Sequence, residues 1–228
     1  MTTEKHTRHR LKRGSFKKAA EELAYALPEG ANHRLPINLK TYAPWLKKDI
    51  PVYPDLPGDH RKTTETERLR DIALEAILTH NADIRIYTDG SASGRTKEGG
   101  RAAVITKGDQ NKPEIIDCIK KRGCGVTCSY EKELEAMHLA VDWIEENVRG
   151  DFRVLICTDS KALCQALLNQ RSSTIAELSD NLKNLAGTVI IQWIPGHTNI
   201  PGNELADTAA KEASHLEDPP ANIYPMRA

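Results

Sequence analysis

Ile84-Arg85-Ile86-Tyr87-Thr88-Asp89-Gly90-Ser91 is the stretch around which the rest of the chain can be ordered. Apolar and polar residues alternate from Ile84 to Tyr87, the period of a strand, and Asp89-Gly90-Ser91 adds a turn signal at its end. An Asp beside a Gly is ordinarily a turn residue. Here it stands where a central strand is expected to run out, and open α/β sheets place their ligand sites beyond such carboxyl ends.

Downstream the texture stays that of an α/β unit. Strands are expected over 101–107 and 114–121, separated by Gly108-Asp109-Gln110-Asn111. A long amphipathic helix (129–148), a short apolar strand (152–158), helices over 160–169 and 174–186, a last strand (188–194) and an Ala-rich helix (201–214) follow. Three strands and then alternating helix and strand imply a mixed sheet covered by helices.

Upstream the composition changes. Lys5, Arg8, Arg10, Lys12, Arg13, Lys17 and Lys18 face a single acid, Glu4, which suits either a phosphate-binding arm or a solvated terminus. A short helix fits Phe16 to Leu27. Pro28, Pro36, Pro44, Pro51, Pro54 and Pro57 then remove backbone donors and fix φ, which argues against regular structure. A helical pattern returns over 63–80, with Leu69, Ile72, Ala73, Ala76 and Ile77 on one side. The chain thus reads as a basic, Pro-rich extension and connector (1–82), a functional domain (83–215) and a flexible tail (216–228).

Composition narrows the setting. The 32 basic and 32 acidic residues cancel, so net charge does not speak for nucleic-acid binding. No apolar run reaches the roughly 20 residues of a membrane span, and no apolar run follows the basic start as a secretory signal needs. Cys118, Cys124, Cys128, Cys157 and Cys164 are an odd count without the look of a disulfide framework. Cys124 and Cys128 lack a second Cys/His pair at finger-like spacing. A reduced, intracellular protein is expected.

Four carboxylates stand in distinctive frames. Asp159, in Thr158-Asp159-Ser160, repeats the strand-end placement of Asp89, although a helix N-cap reads the same way. Leu134, Met137, Val141, Ile144 and Val148 form one helical seam, and Glu133 lies about 60° from its centre, at the border of the buried face. A carboxylate there is costly unless paired or metal-bound; Glu131 and Glu135 face solvent. Asp207, in Gly202-Asn203-Glu204-Leu205-Ala206-Asp207, projects away from the side defined by Leu205, Ala209 and Ala213. It lies near a helix start, where the dipole alone favours an acid. His197, in Pro195-Gly196-His197-Thr198, sits on a Gly/Pro loop and is free to titrate near neutral pH. Brought together, such carboxylates would repel one another unless divalent cations neutralised them.

Taken in order, these frames resemble a ribonuclease H domain over roughly 83–215. Trp193-Ile194-Pro195-Gly196-His197 with Ile200-Pro201-Gly202-Asn203-Glu204-Leu205-Ala206-Asp207 is especially similar to the ribonuclease H of non-LTR retrotransposon polyproteins. Pro44-Trp45-Leu46 resembles the connector upstream of it there, while no reverse transcriptase palm motif is present. The resemblance implies a five-stranded mixed sheet flanked by helices, with the first strand central. It implies hydrolysis of the RNA strand of an RNA–DNA hybrid. Asp89, Glu133, Asp159 and Asp207 would hold two Mg²⁺ ions about 3.5–4 Å apart, with Mn²⁺ able to replace them. His197 would assist proton transfer, and Gly90, Ser91 and Glu133 would lie near the RNA strand and its 2′-hydroxyl. An attached or separate reverse transcriptase is an implied partner; a membrane is not.

One departure stands out. Bacterial relatives often carry a basic helical protrusion between the two middle helices, where this chain has only Gln170-Arg171-Ser172-Ser173. The competing readings are a hybrid-binding or structural module whose catalysis has lapsed, an exonuclease- or integrase-type enzyme on the same fold, and a mobile-element relic. All four carboxylates and the histidine are present, which speaks against the first. The Gly-Asn-Glu-Leu-Ala-Asp ending speaks against the second.

Overall fold

The strand that begins at Ile84 lies inside the sheet in the computed structural model, which describes residues 49–58, 65–91, 99–122, 129–170 and 172–216. The basic run of Lys5 to Lys18, the expected helix over 16–27, Pro44-Trp45-Leu46, Cys124, Cys128 and the tail beyond 216 lie outside the described residues. Six strands are present among them: β1 (Val52–Tyr53), β2 (Ile84–Ser91), β3 (Gly100–Lys107), β4 (Glu114–Arg122), β5 (Arg153–Thr158) and β6 (Thr188–Trp193). Five helices accompany them: α1 (Thr66–Thr79), α2 (Ser129–Asn147), α3 (Lys161–Asn169), α4 (Ser173–Asn184) and α5 (Pro201–Ala213). The strands lie in the order β1-β6-β5-β2-β3-β4. The hairpin neighbours β2/β3 and β3/β4 are antiparallel, and β2/β5, β5/β6 and β1/β6 are parallel. This is the mixed, helix-flanked α/β sheet expected from the sequence, and the element ends fall within a few residues of expectation.

Strand alternation divides the core in two. Ile86, Ala103, Ile105, Val154, Ile156, Val189 and Ile191 face α2, α3 and α4. Their strand neighbours Tyr87, Ala102, Val104, Leu155, Cys157 and Ile190 face α1 and α5. With both faces covered, β5 and β6 read as nearly continuous apolar runs, as interior parallel strands do.

Two expectations are corrected. The connector contributes a strand despite its prolines, so the sheet has six strands rather than five. β1 is only two residues long and sits at the sheet edge, where a missing donor is tolerated. Pro51 still offers its carbonyl, which accepts from Ile191 N at 2.9 Å. The buried Gln192 side chain donates to the carbonyls of Tyr53 (3.4 Å) and Asp55 (3.3 Å). Secondly, Asp89-Gly90-Ser91 is strand, not turn: Asp89 pairs with Ala102, Gly90 with Arg101 and Ser91 with Gly100.

Helix ends are set by short polar side chains. Ser160 Oγ accepts from Leu163 N at 3.4 Å, and Ser172 Oγ from Ile175 N at 3.3 Å. The short link between α3 and α4 turns on Gln170, left-handed at φ 46°, whose amide reaches Ser179 Oγ at 3.0 Å.

Candidate active site

The site begins with a register. β2 and β5 run parallel, and their last pair is Thr88 with Thr158. Asp89 and Asp159 follow directly on this pair, so alternation sends both side chains to the face that carries Tyr87 and Cys157. β2 continues past the end of β5, paired there with β3, which leaves Asp159 at a strand end and Asp89 beside it. Asp159 does not cap α3; Ser160 does.

The third carboxylate arrives from the opposite layer. Gly90 points toward α2, and a Cβ there would lie 2.6 Å from the Glu133 nitrogen and from the Lys132 carbonyl carbon. Only a glycine lets the first turns of α2 press this closely on the strand. The stem of Lys132 occupies the space left by Gly90 and Gly99, and its buried Nζ has no hydrogen-bond partner among the described residues. Glu133 can then reach round to meet Asp89 and Asp159: one carboxylate oxygen from each of the three lies within 4.8 Å of the others. Asp89 and Glu133 are buried, Glu131 is exposed and Glu135 pairs with Arg101. The helical projection placed Glu131 and Glu133 as found, but Glu135, expected to face solvent, is half-buried because Arg101 on β3 draws it in.

Burial and mutual repulsion dominate the electrostatics. Desolvation, with the neighbouring charges of Asp159 and Asp207, pushes Asp89 up to about 7. Desolvation, with Asp89 and Asp159 nearby, pushes Glu133 up to about 9. Asp159 is also raised by burial, while the charge of His197 and a hydrogen bond from the Asn203 side chain pull the other way. Glu133 Oε2 is buried and has no hydrogen-bond partner among the described residues. Three converging carboxylates, one oxygen orphaned, form an all-oxygen donor set that suits a hard divalent cation.

Asp207 approaches from α5. Its charge acts on both Asp89 and Asp159, but it is not one of the three tightly grouped acids. It is bound instead by Lys211 Nζ at 2.6 Å, one helical turn on. The buried face of α5 runs through Gly202, Asn203, Ala206, Ala209, Ala210 and Ala213. Leu205 is only partly buried, so counting it into the seam rotated the expected face and set Asp207 too far out. Asp207 actually lies at the border, on the same side as Asn203 four residues earlier.

His197 is exposed and left-handed, at φ 54°. Its loop is pinned: Thr198 Oγ1 donates to the Pro195 carbonyl at 2.9 Å, and Arg70 Nε donates to the Asn199 carbonyl at 3.0 Å. Gly90 is buried and Ser91 half-buried at the strand terminus beyond Asp89.

Three supporting residues were missed in the sequence. Trp193 Nε1 donates to the Asp159 carbonyl at 3.0 Å. Gly196 abuts the Asp159 carboxylate, where a Cβ would lie 2.7 Å from Oδ2. Asn203, buried, faces Asp159 with its amide, and its Oδ1 has no partner among the described residues. Only Asn203 carried a signal, its spacing of four from Asp207.

The RNase H family model matches residues 81–215 of this chain. A ribonuclease H of Helicobacter pylori (strain HPAG1) is 28% identical over 140 residues, covering 57% of this chain and 91% of that protein. Among solved structures, the foamy viral protease-reverse transcriptase in complex with dsDNA is 21% identical with a TM-score of 0.48, over 60% of this chain and 96% of that one. RNase H1 from Halobacterium salinarum NRC-1 is 20% identical with a TM-score of 0.45, over 57% of this chain and 96% of that one. With the family model spanning more than half of its residues, the chain belongs to the RNase H family.

Proposed function

We propose that this protein cleaves the RNA strand of RNA–DNA hybrids endonucleolytically, with Mg²⁺ held by Asp89, Glu133 and Asp159 and a second Mg²⁺ shared with Asp207. The observation that carries this reading is the carboxylate group with oxygens within 4.8 Å, set at the carboxyl ends of two parallel strands. When bound, the divalent metal supplies Lewis acidity and an ionised water at neutral pH. The chain's own residues do the rest. Asp89 and Asp159 are held in position by the sheet, and Glu133 by the contact of α2 with Gly90. Gly90 and Ser91, at the strand terminus, offer backbone and hydroxyl to the ribose edge, where a 2′-hydroxyl separates RNA from DNA. His197, exposed on its pinned loop, carries a proton between the carboxylate group and solvent.

The test is cleavage of a labelled RNA–DNA hybrid, with double-stranded RNA and double-stranded DNA as controls, with and without Mg²⁺. Cleavage confined to the hybrid and to Mg²⁺ supports the proposal. Hybrid binding without cleavage selects the lapsed-module reading instead. The Trp193-to-Asp207 phrase supports descent from a retrotransposon polyprotein, whose reverse transcriptase is the corresponding partner. In place of the basic protrusion, Lys5 to Lys18 are assigned the extra grip on phosphates. Deleting residues 1–20 then flattens the dependence of hybrid affinity on salt, and an unchanged slope removes that assignment.

A further inference from the structure

α1 lies outside residues 81–215, the part of the chain that the family model matches, yet it reaches the loop that carries His197. Arg70, Ala73, Leu74 and Ile77 stand at positions i, i+3, i+4 and i+7, so they form a single stripe along α1. Ala73, Leu74 and Ile77 are buried and share a core layer with Ile194 and Ile200, the two buried residues that bracket the loop. Packing thus sets α1 and the feet of the loop in one layer. Arg70 continues the stripe by one turn and is half-buried, and its Nε donates to the Asn199 carbonyl at 3.0 Å.

The loop needs that support. His197 and Asn199 both hold left-handed backbone, at φ 54° and 58°, a conformation that costs free energy for residues other than glycine. Thr198 Oγ1 and the Pro195 carbonyl close the loop on itself. Among the described residues, Arg70 makes the one hydrogen bond that reaches residues 195–199 from another part of the chain. The exposed imidazole of His197 has no hydrogen bond of its own among the described residues. The backbone of the loop therefore places it near Asp159, on whose carboxylate its charge acts.

We propose that Arg70 is a positioning residue for hybrid cleavage: by holding the Asn199 carbonyl it keeps the loop in its left-handed form, with the His197 imidazole near Asp159. This rests on the hybrid-cleavage reading given above. It makes turnover depend on the connector as well as on the domain that bears the carboxylates. Arg70 acts here through its N–H rather than through its charge, and it acts through His197 rather than on the substrate.

Two variants of the full-length chain separate these roles. The amide nitrogen of glutamine, like Nε of arginine, is bonded to Cδ, so Arg70→Gln keeps an N–H at the same place along the side chain and loses the charge. Arg70→Met keeps the length and loses both. Arg70→Met is expected to lower kcat on the hybrid about tenfold with KM unchanged, and Arg70→Gln to recover most of that loss. Both should melt within roughly 4 °C of wild type. In a His197→Ala background, Arg70→Met should cost nothing further, because the two residues act as one unit. Amide relaxation of Thr198 and Asn199, measured without substrate, should show order falling in Arg70→Met and returning in Arg70→Gln.

Full activity in Arg70→Met overturns the proposal. So does an Arg70→Gln as slow as Arg70→Met, an undiminished loss in the His197→Ala background, or a larger fall in Tm. A loss confined to KM, with a flatter dependence of hybrid affinity on salt in both variants, makes Arg70 a phosphate contact and overturns it too. A wild type that leaves the hybrid intact defeats the cleavage reading and the role of Arg70 in turnover together. An active wild type with an indifferent Arg70→Met defeats the role of Arg70 alone.

Discussion

The indole nitrogen of Trp193 donates a hydrogen bond to the backbone carbonyl of Asp159 at 3.0 Å, tying the last residue of β6 to the carboxylate that follows β5. The tie fixes the peptide from which the Asp159 side chain departs. Trp193→Phe keeps an aromatic surface beneath Lys161, whose ammonium lies 5.1 Å from the ring centre, but removes the donor. A loss of about 1 kcal/mol in stability is expected, read by chemical denaturation. Steady-state kinetics on the hybrid should show kcat falling several-fold with KM little changed, because the substrate surface is untouched and the site geometry is loosened.

Asp89→Asn and Asp159→Asn each remove one of the mutually repelling acids. Cleavage of the hybrid is expected to vanish while affinity for it stays within a few-fold of wild type. The same variants should melt higher than wild type in metal-free buffer at alkaline pH and lose the melting-point rise that Mg²⁺ confers. Substantial residual cleavage would undo the metal assignment.

Asn203→Ala tests a positioning role. The Asn203 side chain favours the ionised form of Asp159, so its loss raises the Asp159 pKa further. The acid limb of the pH profile of kcat/KM should move to higher pH. A purely structural residue would lower the plateau and leave the limb where it was.

The contribution of the carboxylate group to stability should depend on pH in an inverted sense. Asp89 near 7 and Glu133 near 9 are raised above their unfolded values, so the metal-free folded chain holds more protons than the unfolded one between those limits. The stability contributed by these two groups is then fully present below the unfolded carboxylate range, roughly pH 4, and is lost as pH climbs toward the folded values. Cation binding needs the deprotonated groups, so the Mg²⁺-induced rise in Tm grows over the same interval. Calorimetric scans in EDTA and in Mg²⁺ from acid to alkaline pH check both signs.

The connector is expected to be indispensable. Leu56, Ala73, Leu74 and Ile77 are buried against Leu155, Ile190, Ile194 and Ile200. Leu56, Leu74 and Ile77 alone, at about 1.5–3 kcal/mol each, approach the roughly 5–15 kcal/mol by which a domain is stable. A chain starting at residue 49 should fold with a Tm close to that of the full chain. One starting at residue 83 should be unfolded or aggregated, as circular dichroism and light scattering would show.

The sequence disclosed the site better than its surroundings, for identifiable reasons. Asp89 and Asp159 were legible because strands announce themselves by alternation and apolar runs, and Glu133 because helical periodicity distinguishes neighbouring acids. β1 was hidden because its proline reading counted lost donors, whereas Pro51 takes part through its acceptor. Asp207 was displaced because a large apolar residue, Leu205, was allowed to define a face that alanines form. Trp193 and Gly196 act through a backbone carbonyl and through empty space, and neither leaves a periodic trace in sequence.

The shared register of Thr88 with Thr158 has one further consequence. A slip of one residue between β2 and β5 would turn Asp89 or Asp159 to the other side of the sheet and, in the same movement, turn Ile86 or Ile156 out of its layer. Hydrophobic patterning thus acts as a proofreading device for the carboxylates: a chain that packs its interior has already aligned its acids. Inactivation through that alignment is closed to this molecule short of unfolding, and a silent descendant would have to change an acid itself or a residue bearing directly on one.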